Sequence, residues 1–187
     1  MNPTGVSGNA RGRTLVAGIG NVFLSDDGFG VEAVRRLSRQ PVPDDVDIVD
    51  TGVRGVHLAY QLLDGYRTLV LVDATARGGA PGTVYRIEDP QPAQEGTGEA
   101  LIDGHRMTPG AVLSLLDALS AGTGGSRPEQ VFVVGCEPAG LDEGMGLSEP
   151  VEAAVDEAVR VVLEILRNGR RQDEPAQQAA GHAARNR

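Results

Sequence analysis

Short apolar runs alternate along the chain with segments whose apolar residues recur at helical spacing. The apolar runs predict β-strands at 14–20, 46–50, 68–73, 83–87 and 130–135. The helical spacing predicts α-helices that begin near Gly30, Gly55, Thr108 and Ser148. This alternation is typical of βαβ units, so we expect an α/β fold with three layers. Its centre is a mostly parallel twisted sheet, with helices on both faces.

The starts of two predicted helices carry local signals. Thr108 precedes Pro109, which combines a good N-cap residue with a proline at the first helical position. Ser148 stands before the last apolar stripe and is also interpreted as a helix cap. These signals place the third helix after a long polar loop at 88–106. Loops of this length are commonly functional or disordered.

The periodic pattern predicts one α/β domain at 14–167. Residues 1–13 and 168–187 are polar and lack the apolar repeat, so we expect two disordered tails.

The single cysteine, Cys136, favours a reducing compartment. We find neither a signal-peptide pattern at the start nor an apolar run near the ~20 residues that span a bilayer. We therefore expect a cytoplasmic protein.

The net charge of −9 excludes some partners. Nucleic acids and anionic membranes attract clustered lysines and arginines, so an acidic chain is a poor general binder of either. We expect no nucleic-acid partner and no membrane partner.

Several acids and one imidazole follow the predicted strands. They are Asp26, Asp27, Asp50, Asp73 and His105. Ligands of open α/β sheets bind beyond the carboxyl ends of the strands, where these side chains would meet. Two carboxylates and an imidazole suit a borderline divalent metal ion with open coordination positions. Each residue also has a purely structural interpretation: a helix cap for Asp26 or Asp27, a turn for Asp73 and a solvated side chain for His105.

Two other kinds of site fit less well. The Gly18-Ile19-Gly20 turn resembles the start of a dinucleotide-binding loop, but Phe23 stands where the third glycine belongs. Two carboxylates near a phosphate site would also repel the ligand. Cys136 ends a strand, where a lone cysteine is more often an inert buried residue than a nucleophile.

The motifs together resemble the [NiFe]-hydrogenase maturation protease family. The segment GIGNVFLSDDGFGVEAVRRL at 18–37 is similar to the family's first motif. Later landmarks follow in the family's order: DTGVRGVHL at 50–58, LVLVDATARG at 69–78, HRMTP at 105–109, VVGCEPAG at 133–140 and GLSEPVEAAV at 146–155. The resemblance covers roughly residues 14–167.

The resemblance implies an endopeptidase that removes a C-terminal extension from the large-subunit precursor of a [NiFe]-hydrogenase after nickel insertion. The precursor would be the partner and would itself supply the nickel. The family's two metal-binding carboxylates align with Asp27 and Asp73, and its imidazole aligns with His105. Some members carry glutamate at the first of these positions.

Two alternatives and two minor candidates stay open at this point. The chain could bind a nucleotide or small ligand, or it could hold the nickel-loaded precursor as a chaperone without cleaving it. Asp50 and the glycine-rich stretch 52–55 could shape the cleft, although a plain strand-to-helix turn explains them too. The loop at 88–104 could select the hydrogenase isoform.

Overall fold

The computed structural model describes residues 12–92, 108–123 and 126–183. The strands are β1 (Thr14–Ile19), β2 (Val46–Gly52), β3 (Thr68–Ala74), β4 (Val84–Glu88) and β5 (Gln130–Cys136). The α-helices are α1 (Phe29–Leu37), α2 (Gly55–Leu62), α3 (Pro109–Thr123) and α4 (Glu149–Ala183). A short 3-10 helix, Ser25–Gly28, precedes α1.

The five strands form one sheet in the order β2-β1-β3-β5-β4. Pairs β1–β2, β1–β3 and β3–β5 are parallel, and only the edge strand β4 runs antiparallel to β5. The antiparallel edge arises because the chain turns directly from β3 into β4 without a crossover helix. The predicted fold class, with its mostly parallel sheet, is confirmed.

Helices cover both faces of the sheet, and the apolar side chains of the strands alternate between the two cores. Val16, Val70 and Val72 pack with α1 and α4 on one face. Leu15, Leu69 and Leu71 pack with α2 and α3 on the other. Burial on both faces explains why these strands are continuous apolar runs rather than alternating ones.

Helix α1 crosses the sheet at unusually short range. A Cβ atom on Gly30 would lie 2.1 Å from the Val72 carbonyl oxygen and 2.3 Å from that of Ile19. A Cβ atom on Gly18 would lie 2.3 Å from the Gly30 carbonyl oxygen. The two glycines therefore let α1 lie directly on β1 and β3, which brings the preceding 3-10 helix to the carboxyl ends of these strands.

The last helix continues to Ala183, whereas the sequence led us to expect disorder from residue 168. Residues after 167 are rich in Ala, Arg and Gln, which favour helix even without an apolar stripe. The domain bounds 14–167 stay a prediction. None of the helices within the described ranges combines the length and apolarity that a bilayer span requires.

Candidate active site

A cavity of about 210 Å³ lies beyond the carboxyl ends of β1, β2 and β3. Its lining residues come from the last residues of β2 and β3, from the segments that follow the three strands, from the residue before α3 and from the loop after β5. They are Gly20, Leu24, Asp27, Gly52, Val53, Asp73, Ala74, Ala76, Thr108 and Leu141. Two carboxylates therefore meet at the edge where an open α/β sheet binds its ligands.

A larger cavity, of about 460 Å³, lies at the opposite edge of the sheet. Its lining includes the first residues of four strands, Thr14, Val46, Thr68 and Gln130. Two arginines there, Arg67 and Arg86, form ion pairs with the surface acids Glu129 and Glu88. Size alone favours this cavity, but the position of the acids and the topology of the sheet favour the smaller one.

The backbone around Asp27 is folded tightly against the end of β1. Gly20 has a φ of +132°, and a Cβ atom there would lie 1.8 Å from the Asp27 carbonyl oxygen. The Asn21 N–H donates to Asp27 Oδ2 at 2.7 Å. The N-cap position of α1 is occupied by Gly28, one residue after Asp27. The half-buried side chain of Asp27 lines the cavity.

Asp73 is the more buried of the two acids. It lies near the end of β3 and is only 6% exposed. Burial and the nearby Asp27 carboxylate raise the pKa of Asp73 well above its ordinary value, although the Ala74 N–H lowers it in part. A perturbed carboxyl beside a second carboxylate in a cleft is typical of functional sites.

His105, the third predicted ligand, lies outside the described residues. Within the described part of the chain, no group of three His, Cys, Asp or Glu side chains is arranged to hold a metal ion. The structure thus brings two of the three predicted residues to one cavity, and the role of the third stays a prediction.

Comparison with known proteins identifies the family. The model of the hydrogenase maturation protease family HycI matches residues 31–165, well over half of the chain. The chain belongs to the hydrogenase maturation protease family. It is therefore a peptidase of hydrogenase maturation.

Relatives and solved structures agree with this family. The hydrogenase expression/formation protein HupD of Rhizobium leguminosarum bv. viciae is 33% identical over 83% of this chain and 75% of its own length. The hydrogenase 2 maturation protease of Escherichia coli is 32% identical over 83% of this chain and 91% of its own length. The solved structure of the E. coli hydrogenase maturating endopeptidase HybD is 32% identical, covers 83% of this chain and 93% of that one, and has a TM-score of 0.65.

Two other candidates from the sequence, Asp50 and Cys136, fall outside the cavity of this maturation protease. Asp50 forms an ion pair with Arg35 at 3.0 Å and does not line the cavity, whereas Gly52 does. Cys136 is buried as a free cysteine, and burial raises the pKa of its thiol to about 12, which supports its interpretation as an inert residue.

Sequence reasoning missed the role of Asp26, the neighbour of Asp27. Asp26 is 1% exposed and accepts hydrogen bonds from Ala139, Gly140 and Ser148. Burial raises the pKa of Asp26, but the bonds from these donors lower it by more, so the net direction is downward. The Ser148 hydroxyl also donates to Asp26, and the Ser148 carbonyl accepts the Glu152 N–H, as the carbonyl of an N-cap residue does. No sequence signal distinguishes which of two adjacent acids turns inward.

Proposed function

We propose that this maturation protease removes the C-terminal extension of a nickel-loaded [NiFe]-hydrogenase large-subunit precursor, with Asp27, Asp73 and His105 at its active site. The observation that carries the proposal is the shared cavity of Asp27 and Asp73 at the carboxyl edge of the sheet. These are the two carboxylates that the family resemblance assigns to metal binding.

The electrostatics of the cavity favour a cation that arrives with the substrate. Asp73 is buried and its carboxyl group is close enough to Asp27 for the two charges to repel. Two ionised carboxylates in such a place are stable only with a compensating positive charge. Nickel bound to the precursor would supply that charge, so a precursor without nickel would engage the cavity weakly.

The position of Thr108 supports a role for His105. Thr108 lines the cavity and receives the Ala111 N–H on its side-chain oxygen at 3.3 Å, as an N-cap residue does. His105 precedes it by three residues along the chain, and the family resemblance assigns it the imidazole of the site.

Two glycines in the lining leave room for a peptide backbone. Gly20 and Gly52 carry no side chain that could block the cavity, and both have positive φ values, +132° and +54°. Nickel, once engaged by the side chains, would either polarise the scissile carbonyl or hold the peptide in place for attack by water.

The surroundings of the cavity fit a protein substrate. Six large apolar side chains are exposed in the described part of the chain: Phe23, Val53, Val56, Tyr60, Leu141 and Met145. All six lie on segments that follow the carboxyl ends of β1, β2 or β5, and we call them the apolar rim. Two of them, Val53 and Leu141, line the cavity itself, and exposed apolar side chains beside a cavity are typical of protein interaction sites. The rim supports contact with the folded body of a precursor.

We place the reaction in the cytoplasm. The one cysteine of the chain, Cys136, is buried as a free thiol, which suits a reducing compartment.

We also propose that residues 14–167 form the functional domain. A variant trimmed to these bounds should fold and cleave like the full chain, and loss of either property would contradict the bounds.

Because the nickel belongs to the precursor, the free protease should hold little of it. Purified protein is dialysed extensively against metal-free buffer, and its nickel content is measured by inductively coupled plasma mass spectrometry. We expect far less than one nickel ion per chain. A stoichiometric content would contradict the proposal that the substrate supplies the ion.

Cleavage itself is tested with the nickel-loaded large-subunit precursor from the same organism. We expect the mass of the precursor to fall by that of a C-terminal peptide after incubation with the wild-type protease. A stable complex with an unchanged precursor mass would instead favour a chaperone that binds without cleaving. Nucleotide retained in the purified protein would favour the small-ligand alternative.

A further inference from the structure

The two adjacent acids of the 3-10 helix face different surroundings. Asp27 lines the cavity, whereas Asp26 is buried against the β5–α4 loop, which comprises residues 137–148. Asp26 Oδ2 accepts the N–H groups of Ala139 at 2.8 Å and Gly140 at 3.2 Å, and the Ser148 hydroxyl at 2.9 Å. Asp26 Oδ1 accepts the Ser148 N–H at 2.6 Å. Both carboxylate oxygens are thus engaged by this loop.

The β5–α4 loop contributes one wall of the cavity. Leu141 follows the two backbone donors of Asp26 directly in sequence, and its side chain lines the cavity with that of Leu24. Asp26 therefore lies between the segment that carries Asp27 and the segment that carries Leu141. Its side chain accepts hydrogen bonds from the segment of Leu141. The relative position of these two cavity walls depends on its carboxylate.

The backbone of the two segments is also paired. The Ser25 N–H donates to the Gly144 carbonyl at 2.9 Å, and the Gly144 N–H donates to the Phe23 carbonyl at 3.0 Å. Ser25 has a φ of +49°, which is unfavourable for a residue with a side chain, and its hydroxyl donates to the Asp142 carbonyl. Such a conformation persists only where surrounding contacts fix it. The β5–α4 loop provides those contacts.

The other end of the loop is fixed by a second buried acid. Glu137 is 5% exposed and accepts the N–H groups of Arg77 at 2.8 Å and Gly78 at 3.1 Å. The Tyr85 hydroxyl donates to it at 2.8 Å. Glu137 therefore holds the chain that follows β3, while Asp26 holds the part of the loop that carries Leu141. Asp26 bonds to the two residues directly before Leu141, and Ser25 bonds to Asp142 directly after it, so both join this wall of the cavity to the segment of Asp27.

We propose that Asp26 is a positioning residue for peptide cleavage: its buried carboxylate fixes the β5–α4 loop so that Leu141 forms a wall of the cavity for the precursor's C-terminal segment. This inference rests on the proposed function. Asp26 touches neither the substrate nor the reacting atoms, and it acts through the loop. A correctly placed wall holds the peptide in the orientation that cleavage requires.

The central variant is Asp26→Asn, which keeps the size of the side chain. Its amide nitrogen cannot accept a hydrogen bond, and either orientation of the amide faces at least one N–H group of the loop. The loop should then lose its fixed position. Hydrogen–deuterium exchange should show faster exchange at Ala139, Gly140 and Ser148 than in the wild type.

A double-mutant cycle with Leu141→Ala measures the consequence for cleavage. In the wild-type background we expect Leu141→Ala to lower kcat/KM about tenfold, as is typical of a lost apolar contact in a pocket. In the Asp26→Asn background the same change should lower kcat/KM less than about twofold, because Leu141 is already displaced. The matched control is Val159→Ala, which removes buried methyl groups of α4 and lowers stability without touching the loop. In that background the effect of Leu141→Ala should stay about tenfold.

Equal effects of Leu141→Ala in the wild-type and Asp26→Asn backgrounds would overturn the inference while leaving the protease activity established. Unchanged exchange at the three amides in Asp26→Asn would overturn it as well. Failure of the wild-type chain to cleave any loaded precursor would overturn the proposed function and this role with it. If Asp26→Asn does not fold, Ser148→Ala takes its place, since it removes one of the four bonds. The effects of Ser148→Ala and Leu141→Ala on kcat/KM should then also be non-additive, by a smaller factor. Additive effects of these two changes would overturn the inference.

Discussion

Asp27 and Asp73 reach one cavity from the segments at the ends of two neighbouring parallel strands, β1 and β3. The close crossing of α1 at Gly18 and Gly30 places Asp27 there. Asp73 is there because it is the second-last residue of β3. Their proximity is unfavourable for the free protein, because a buried carboxyl group next to a carboxylate resists ionisation. Under the proposed function, the nickel of the precursor would compensate this repulsion.

The first prediction concerns stability and pH. The pKa of Asp73 in the folded protein lies above its ordinary value of 3.8, so the folded state holds this proton more tightly than the unfolded state. The associated stability is fully present below pH 3.8 and is lost as the pH rises through the folded pKa. We therefore expect Asp73→Asn to raise the free energy of unfolding by about 1 kcal/mol at pH 7.

Urea unfolding at pH 7 and at pH 3.5 measures this effect. The gain from Asp73→Asn should shrink at the lower pH, where the wild-type carboxyl is protonated. Asp50→Asn is the control, since Asp50 is an exposed acid paired with Arg35 and should change stability by less than about 1 kcal/mol. An equal gain from Asp73→Asn at both pH values would contradict the explanation.

The second prediction concerns the chemical requirement at Asp27. Asp27→Glu keeps a carboxylate and should retain measurable cleavage, because family members with glutamate at this position imply that the longer reach is tolerated. Asp27→Asn keeps the shape but removes the charge that would engage nickel. We expect it to lower kcat/KM at least about 100-fold, the upper end for groups that only support a metal ligand. Similar activity of Asp27→Asn and wild type in the precursor assay would rule out a ligand role for Asp27.

The third prediction concerns the apolar rim. Phe23 is 63% exposed and Met145 is 81% exposed, so neither contributes much to the core. Met145→Glu and Phe23→Ser should each raise KM for the precursor about tenfold with little change in kcat, since they remove apolar area only from the bound complex. Arg160→Glu, an exposed change on α4, is the control and should leave KM unchanged. Rim variants with wild-type KM would show that the precursor does not contact these residues.

The fourth prediction tests the crossing of α1. Gly30→Ala would force a Cβ atom against two carbonyl oxygens and should destabilise the fold by more than about 2 kcal/mol. Gly122→Ala in α3 is the matched control, because nothing lies within 4 Å of the added atom. It should be neutral or stabilising by up to about 1 kcal/mol, since alanine favours helix. Thermal unfolding compares the two, and equal effects would mean that the crossing tolerates a methyl group.

The sequence was a good guide to the elements, because buried parallel strands and amphipathic helices leave strong patterns. The predicted starts of β1, β2 and β3 agree with the structure, and Thr108 does act as the cap of α3. The place of β4 beside β5 was not predictable, since the chain passes over β5 on its way from β3 to the edge of the sheet. The pattern of apolar residues did not predict the extension of α4 to Ala183. This part of the helix has no apolar stripe and depends on the helix propensity of its residues.

The candidate site was predictable only in part. Strand ends pointed to Asp27 and Asp73, and the family resemblance selected them from the other acids. Asp26 could not be recognised, because its donors lie more than a hundred residues away along the chain. Leu24, Val53 and Leu141 were missed as well, since the packing of loops from three different strands brings them to the cavity.

The most direct test of the account compares nickel-loaded and nickel-free precursor in one mass-spectrometric cleavage assay. The wild type and the folded variants Asp27→Asn, Asp73→Asn and His105→Ala are incubated with each form. The account predicts release of a C-terminal peptide only by the wild type and only from the nickel-loaded precursor. Cleavage of the loaded precursor by all three variants, or equal cleavage of both precursor forms by the wild type, would contradict it.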